Sequence, residues 1–255
     1  RVTLSQRLLV RESLGVDQLG GLVRLTVTIV TVAVVIQILG FIALFIRFSF
    51  LYSPAEAIWQ AVFHAVSGFN NAGFIVLSEP GGLAKFQGDL TILLVMLFLI
   101  VLGTISYWVM VDVVRVRQFS LFSLTTKLVL FLTATLLIIG TVVFLASEYR
   151  NPDTLGNLPL QEKIMTSVFE SASGRTAGFS TVDFGATEQH TNFFFTGLMF
   201  IGGASGSVAG GIKINTLAVV LVAVLSTIRG RSQATAFGRE IPNSQVKRAM
   251  VIGAL

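Results

Sequence analysis

Two stretches of this chain carry residue types that could handle a bare cation. Ser67-Gly68-Phe69-Asn70-Asn71-Ala72-Gly73-Phe74 and Ser173-Gly174-Arg175-Thr176-Ala177-Gly178-Phe179 share the ending Ala-Gly-Phe. Each follows a short, mildly apolar segment that contains Val-Phe, Val62-Phe63 in the first and Val168-Phe169 in the second. A cation can leave water only if oxygens replace its hydration shell, and rings of backbone carbonyls do this. Aiming successive carbonyls at one axis needs dihedrals that glycine permits, which gives Gly73 and Gly178 a physical reason. Ala72 and Ala177 are small enough for each loop to lie against its helix, and Phe74 and Phe179 can anchor it in the wall. The reading is two half-filters. Asn70, Asn71, Ala72, Gly73 and Phe74 form one, and Arg175, Thr176, Ala177, Gly178 and Phe179 the other. A lone Ala-Gly-Phe tripeptide carries no meaning; its repetition within matched surroundings does.

A third stretch, Gly202-Gly203-Ala204-Ser205-Gly206-Ser207-Val208-Ala209-Gly210-Gly211, breaks an apolar run, with Lys213 just beyond it. Each glycine costs a helix about 1 kcal/mol against Ala, so a straight helix through it is disfavoured. Small residues also serve close helix packing in membranes, but here they cluster too densely for a packing stripe. A phosphate-binding loop is excluded, because Ile212 rather than Lys follows Gly211 and no strand precedes it. The expected role is a hinge or gate formed by Gly202, Gly203, Ala204, Ser205, Gly206, Ser207, Gly210, Gly211 and Lys213. Lys213 either lines the inner pore or snorkels to the surface. Arg175 is expected to pair with Glu170 or Asp183 behind the filter rather than touch ions, which it would repel. His64 braces the first pore helix, and His190 is an exposed loop residue.

The elements that must position these residues belong to a membrane protein. The 255 residues are 53% hydrophobic and 12% charged, where soluble domains carry roughly 25% charge. Leu25 to Ile46, Leu90 to Met110 and Leu128 to Ala146 read as spanning helices. A fourth apolar run begins at Phe193, is interrupted by the glycines, and resumes from Ile212 to Ile228. Ser53-Pro54-Ala55-Glu56 looks like a capped helix start. The helix it opens, and the one from Leu160 to Ala172, are too short and polar to cross. Segments of that length are more often re-entrant, and non-helical backbone at membrane depth survives only against protein or water.

The chain then divides into a cytoplasmic N-terminal segment 1–24, a helix–pore-loop–helix unit 25–110, a cytoplasmic loop 111–127, and a second unit 128–228 with an intramembrane loop 201–213. Segment 229–255 is a cytoplasmic loop and the start of a further repeat. Basic residues test this topology. Arg1, Arg7, Arg11, Arg24, Arg115, Arg117, Lys127, Arg229, Arg231, Arg239, Lys247 and Arg248 fall inside; Arg47, Lys85, Arg150, Lys163 and Arg175 fall outside. That obeys the positive-inside rule. The net charge of +5 therefore reports topology, not nucleic acid. No cysteine is present, so disulfides and thiolate metal sites are excluded. No His-Glu-x-x-His or Gly-x-Ser-x-Gly occurs, so the chain is not read as an enzyme. The alternative is a secondary transporter holding a small solute at broken helices.

Asn70-Asn71-Ala72-Gly73-Phe74, Arg175-Thr176-Ala177-Gly178-Phe179 and the break from Ile201 to Lys213 resemble the second and third filter segments and the intramembrane loop of the Ktr/Trk/HKT superfamily of potassium transporters. The resemblance is closest to the bacterial Ktr membrane subunit. It implies an all-α, multi-pass protein of a bacterial plasma membrane that takes up K+, with Na+ as an activating ion. It also implies a homodimer among membrane lipids and a cytoplasmic RCK-type regulatory subunit that binds ATP/ADP or NAD(H); nucleotide would act only through that partner. The basic inner loops are a secondary candidate for its docking surface. The family surrounds one pore with four repeats, of which two are visible here. The cut ends lead one to expect the others beyond this sequence. Asn-Ala and Thr-Ala stand where a strict potassium channel has Thr-Val, so selectivity is expected to rest on glycine and carbonyls, with imperfect exclusion of Na+.

Overall fold

The computed structural model describes residues 22–77, 82–231 and 233–254. Most of the expected N-terminal cytoplasmic segment therefore lies outside the described residues. Helix α1 (Leu22–Phe48) is apolar on nearly every side. Val27, Val30, Val34 and Leu39 remain exposed along it, as on a helix that faces hydrocarbon. It turns back at once into the short α2 (Pro54–Phe69), which opens on Pro54 with Glu56 in its first turn. Ser53 stands at the cap position, but its side chain makes no capping bond, so the expected capping box is present in sequence and absent in geometry.

Helix α3 (Leu90–Thr104) starts on Asp89, whose carboxylate accepts from the Thr91 and Ile92 amides. The same carboxylate takes a 2.7 Å ion pair from Arg47 at the end of α1. This pair fastens the two crossings at the loop end. Leu90 to Met110 is not one straight crossing, as the apolar run led one to expect. α3 ends at Thr104, Ser106 caps a new helix α4 (Tyr107–Val116) through the Val109 amide, and the two axes meet at 102°.

The second unit repeats the plan. Helix α5 (Leu124–Glu148) is a full crossing and α6 (Leu160–Thr176) is short. α7 (Gln189–Met199) and α8 (Ile214–Ile228) are the halves of a broken one. Among the described residues two helices, α1 and α5, are long and apolar enough to span a membrane, and the bent α3–α4 pair makes a third if the pair is one span. Beyond α8 lie a small antiparallel hairpin, β1 (Thr235–Ala236) and β2 (Arg239–Glu240), which the sequence reading did not anticipate, and α9 (Asn243–Ala254). Its turn is Phe237-Gly238, both at positive φ, as a two-residue hairpin turn demands.

The units do not fold apart. Met165, Phe169, Ala177 and Phe179 of the second share one buried cluster with Leu44, Phe48, Ala61, Met96 and Ile100 of the first. α6 packs directly on α3. The two short helices are thereby fixed relative to each other through a common core.

Candidate functional site

Each short helix ends by delivering a loop, and the loops are fastened alike. The Ala72 amide donates to the Ser67 carbonyl at 3.0 Å, and the Gly178 amide to the Ser173 carbonyl at 3.1 Å. The hydroxyls of the same two serines reach forward to the phenylalanine carbonyls. Ser67 donates to Phe74 at 2.9 Å and Ser173 to Phe179 at 2.6 Å. Both serines are buried, so each tether works away from bulk water, where a hydrogen bond is stronger.

The structure brings the two loops side by side. A Cβ placed on Gly73 would lie 2.4 Å from the Ala177 carbonyl oxygen, and one on Gly178 would lie 3.8 Å from the Gly73 Cα. Both glycines hold positive φ, 72° and 79°, a region that L side chains enter only with strain. The Thr176 hydroxyl donates to the Asn71 side-chain oxygen at 3.0 Å, which links the loops just before their Ala-Gly-Phe endings. Ala72 and Gly178 are exposed while Ala177 is buried, so the pair has a wet side and a packed side.

The remaining expected filter residues sort differently. Asn70 is exposed and its amide turns back to the Val66 carbonyl at 2.9 Å. Asn71 takes a left-handed conformation, φ 52°. This absorbs the one residue by which the first loop exceeds the second. The matched anchoring of the two phenylalanines is not observed: Phe179 is 1% exposed and Phe74 is 69% exposed. Arg175 and Thr176 are not loop residues, because α6 stays helical through both. Arg175 is buried with no hydrogen bond on its Nε, and no ion pair joins it to Glu170 or Asp183 among the described residues. For Glu170 the reason is helical spacing. Residues three or four apart share a face, and Glu170 and Arg175 are five apart. Glu170 instead accepts from the Thr181 amide, the Thr181 hydroxyl and the Ser180 hydroxyl. His64 is buried, as expected, with Nδ1 at 2.7 Å from the Gln60 carbonyl. His190 is exposed but sits in the first turn of α7 rather than in a loop.

The glycine-rich segment forms a closed loop. Its two limbs are bridged in parallel at Ile201 and Ile212, with the Gly202 amide donating to the Ile212 carbonyl at 2.8 Å and the Ile212 amide to the Phe200 carbonyl at 3.1 Å. Asn215 accepts from the Ser205 amide at 2.9 Å. Lys213 is half-buried, and its Nζ donates to the Ala209 carbonyl, which ties the return limb to itself.

The sequence reading missed what this loop rests on. A helix end leaves its last carbonyls unpaired, and the end of α3 at Thr104 does so at a buried position. The loop supplies the donors: the Ala204 amide bonds the Thr104 carbonyl at 2.8 Å, and the Val208 amide bonds the Gly103 carbonyl at 3.3 Å. The other side of this α3 end faces the Asn70–Phe74 loop. Asn71 donates to the Ile100 carbonyl at 3.3 Å, and a Cβ on Gly103 would fall 1.9 Å from the Phe69 carbonyl oxygen. A cavity of about 50 Å³ between them is lined by Phe69, Gly103, Ile105, Gly206 and Ser207 among others. The cue lay in Gly103-Thr104-Ile105-Ser106, a Gly and two small hydroxyl residues inside an apolar run.

Residues 1–254 match the family model described as TrkH, cation transport protein. The chain is 36% identical over 252 residues to the Ktr system potassium uptake protein B of Bacillus subtilis (strain 168), covering 99% of this chain and 56% of that protein. It is 35% identical over 253 residues to the potassium/sodium uptake protein NtpJ of Enterococcus hirae, covering 99% and 55%. The crystal structure of the potassium transporter TrkH from Vibrio parahaemolyticus superposes with a TM-score of 0.73 at 14% identity, over 97% of this chain and 52% of that one. The chain thus spans about half the length of the relatives it matches. The fold and the family agree with each other: this is a mostly helical membrane protein, and the chain belongs to the TrkH family of cation transport proteins.

Proposed function

We propose that this chain forms half of a potassium uptake pathway in a bacterial plasma membrane. In this reading the ion passes the main-chain oxygens of Asn71 to Gly73 and of Thr176 to Gly178, then meets the glycine-rich loop. The observation that carries it is the side-by-side placement of Gly73 and Gly178 at positive φ, on helices that share one core. Carbonyl rings select by the oxygens they offer in place of water, and these two loops are propped so that their backbones meet. The short helices also aim their C-terminal ends, partly negative, at the loops. Loop 202–211 obstructs the passage below, held by α3, and moves aside when the pathway opens.

The relatives' names speak for K+ in one case and for K+ and Na+ in another. The Asn-Ala and Thr-Ala endings fit incomplete exclusion of Na+. Gating by a cytoplasmic RCK-type subunit that binds ATP/ADP or NAD(H), and assembly as a homodimer, belong to the same proposal. Arg115, Arg117, Arg229, Arg231 and Arg239, exposed or half-exposed around the ends of α4, α8 and the hairpin, offer such a subunit a basic face. The test is uptake by the complete protein in a host that lacks its own K+ uptake. Growth at low external K+ is the expected result, and absence of K+ or Rb+ accumulation overturns the proposal. Shortening the loop within 202–211 should raise flux; unchanged flux removes its role as the obstruction.

A further inference from the structure

Glu170 is 0% exposed and spends every contact on the strand that leaves the second loop. Its Oε1 accepts from the Thr181 amide at 2.6 Å and the Thr181 hydroxyl at 2.8 Å, and its Oε2 accepts from the Ser180 hydroxyl at 3.1 Å. The single Ser180 hydroxyl hydrogen is shared between that oxygen and the Val182 carbonyl, which lies closer at 2.7 Å. At the matching place in α2, just after the shared Val-Phe pair, stands His64. It turns back on its own helix, and its Nε2 has no partner. Among the described residues, the segment beyond Phe74 is held instead by one neutral amide, Gln60 to the Val76 carbonyl at 3.2 Å. Glu170 meets three donors on its segment where Gln60 makes one bond. The second loop is therefore the more firmly clamped of the two.

We propose that Glu170 is a positioning residue for ion selection: it fixes the Phe179–Val182 strand against α6 and so sets the carbonyls of Ala177 and Gly178 at a spacing that favours K+ over Na+. This rests on the reading of the loops as a cation filter. The chemistry separates position from charge. A Gln at 170 keeps one oxygen for both Thr181 donors and turns its amide to the Ser180 hydroxyl, which can accept while still donating to Val182. An Asp is one methylene, about 1.5 Å, too short to reach. An Ala strands the Thr181 amide and hydroxyl in a buried place, where an unmade bond is costly, while Ser180 keeps the Val182 carbonyl.

The experiment measures K+ and Na+ uptake per inserted transporter for the complete protein carrying E170A, E170D, E170Q or T181V, with a detergent melting curve beside each. The expected K+ to Na+ ratio falls about tenfold in E170A and E170D and about threefold in T181V, and stays within about twofold in E170Q. A merely structural role lowers both fluxes together and leaves the ratio unchanged in E170A; that result overturns the proposal, as does an E170Q that fails as badly as E170A. Should E170A not insert, T181V carries the test alone, and an unchanged ratio there overturns it. A wild type that takes up no K+ sinks the pathway reading itself. A wild type that discriminates beside an E170A that discriminates equally well removes only the role of Glu170.

Discussion

Gly73 and Gly178, the glycines of the proposed filter, are not equivalent, and substituting each with alanine should show it. Both sit at positive φ, so either alanine incurs about 1–2 kcal/mol of left-handed strain. At Gly178 little else opposes the new methyl, whose nearest neighbour is the Gly73 Cα at 3.8 Å. At Gly73 the methyl meets the Ala177 carbonyl oxygen at 2.4 Å, well inside contact distance, and backbone must move. Overpacking of that kind adds about 1–3 kcal/mol, and the atom displaced is one of the oxygens assigned to the ion. If these costs fall on the ion-occupied loops, Gly178→Ala loses roughly tenfold in K+ over Na+ preference. Gly73→Ala should then lose roughly a further tenfold or more. The assay is Rb+ uptake with Na+ as competitor in cells without their own K+ uptake, normalised to inserted protein. A Gly178→Ala variant as damaged as Gly73→Ala, or more so, would refute the placement of the Ala177 carbonyl against Gly73.

The serine tethers should behave as a pair. Ser67→Ala and Ser173→Ala each remove one buried hydroxyl bond, worth about 1 kcal/mol, and each should lower the K+ to Na+ ratio by a few fold in competition uptake. Gly103→Ala drives a methyl into the Phe69 carbonyl and should destabilise by about 1–3 kcal/mol, seen as a lower melting temperature in detergent; a wild-type melting curve counts against the close approach. Glu148 is buried and accepts from Thr191, the Glu188 amide, Asn151 and Thr154. Glu148→Ala should therefore cost about 2 kcal/mol or more and lower the melting temperature while leaving the ion preference of the surviving protein unchanged. Lys213→Met frees the Ala209 carbonyl and should loosen the glycine loop, raising K+ flux; unchanged or lower flux opposes a loop that obstructs.

What could be read from the residues alone was what local chemistry decides. Pro54 suits the first position of a helix, and α2 begins there. The apolar runs gave α1 and α5 within a few residues of their ends, and the glycines gave the interruption between α7 and α8. What could not be read was decided by neighbours distant in sequence. Ser173-Gly174 looked like the end of a helix, yet α6 runs on to Thr176. The missing side chain at 174 leaves room for the Phe195 ring of α7, and the Ser171 hydroxyl bonds the Leu137 carbonyl of α5 at 2.8 Å. Leu90 to Met110 contains no proline or charge to announce a bend. The bend follows from Gly103 pressing on the end of α2 and from a distant loop that takes up the freed carbonyls. Phe74 and Phe179 end identical tripeptides, but Phe179 enters the shared core while Phe74 stands at an open groove beside Trp59 and Phe63.

The bend in the first unit changes how the glycine loop should be understood. A loop hanging from α7 and α8 alone could swing on its own glycines. This one is seated on the Gly103 and Thr104 carbonyls of the other unit, and those carbonyls are available only because α3 stops there. Moving the loop aside strands two buried acceptors unless water or a straightened α3–α4 replaces the donors. Straightening would also move the Ile100 and Gly103 side of α3, which carries the Asn71 contact and lies against Phe69. Through Thr176, Asn71 reaches the second filter loop. If loop 202–211 gates and the two Ala-Gly-Phe loops select, as proposed, opening and loop spacing are therefore not independent in this arrangement. A gate that changes ion preference as it opens is the natural consequence, and a gate that leaves preference untouched would require α3 to stay bent and water to take the loop's place.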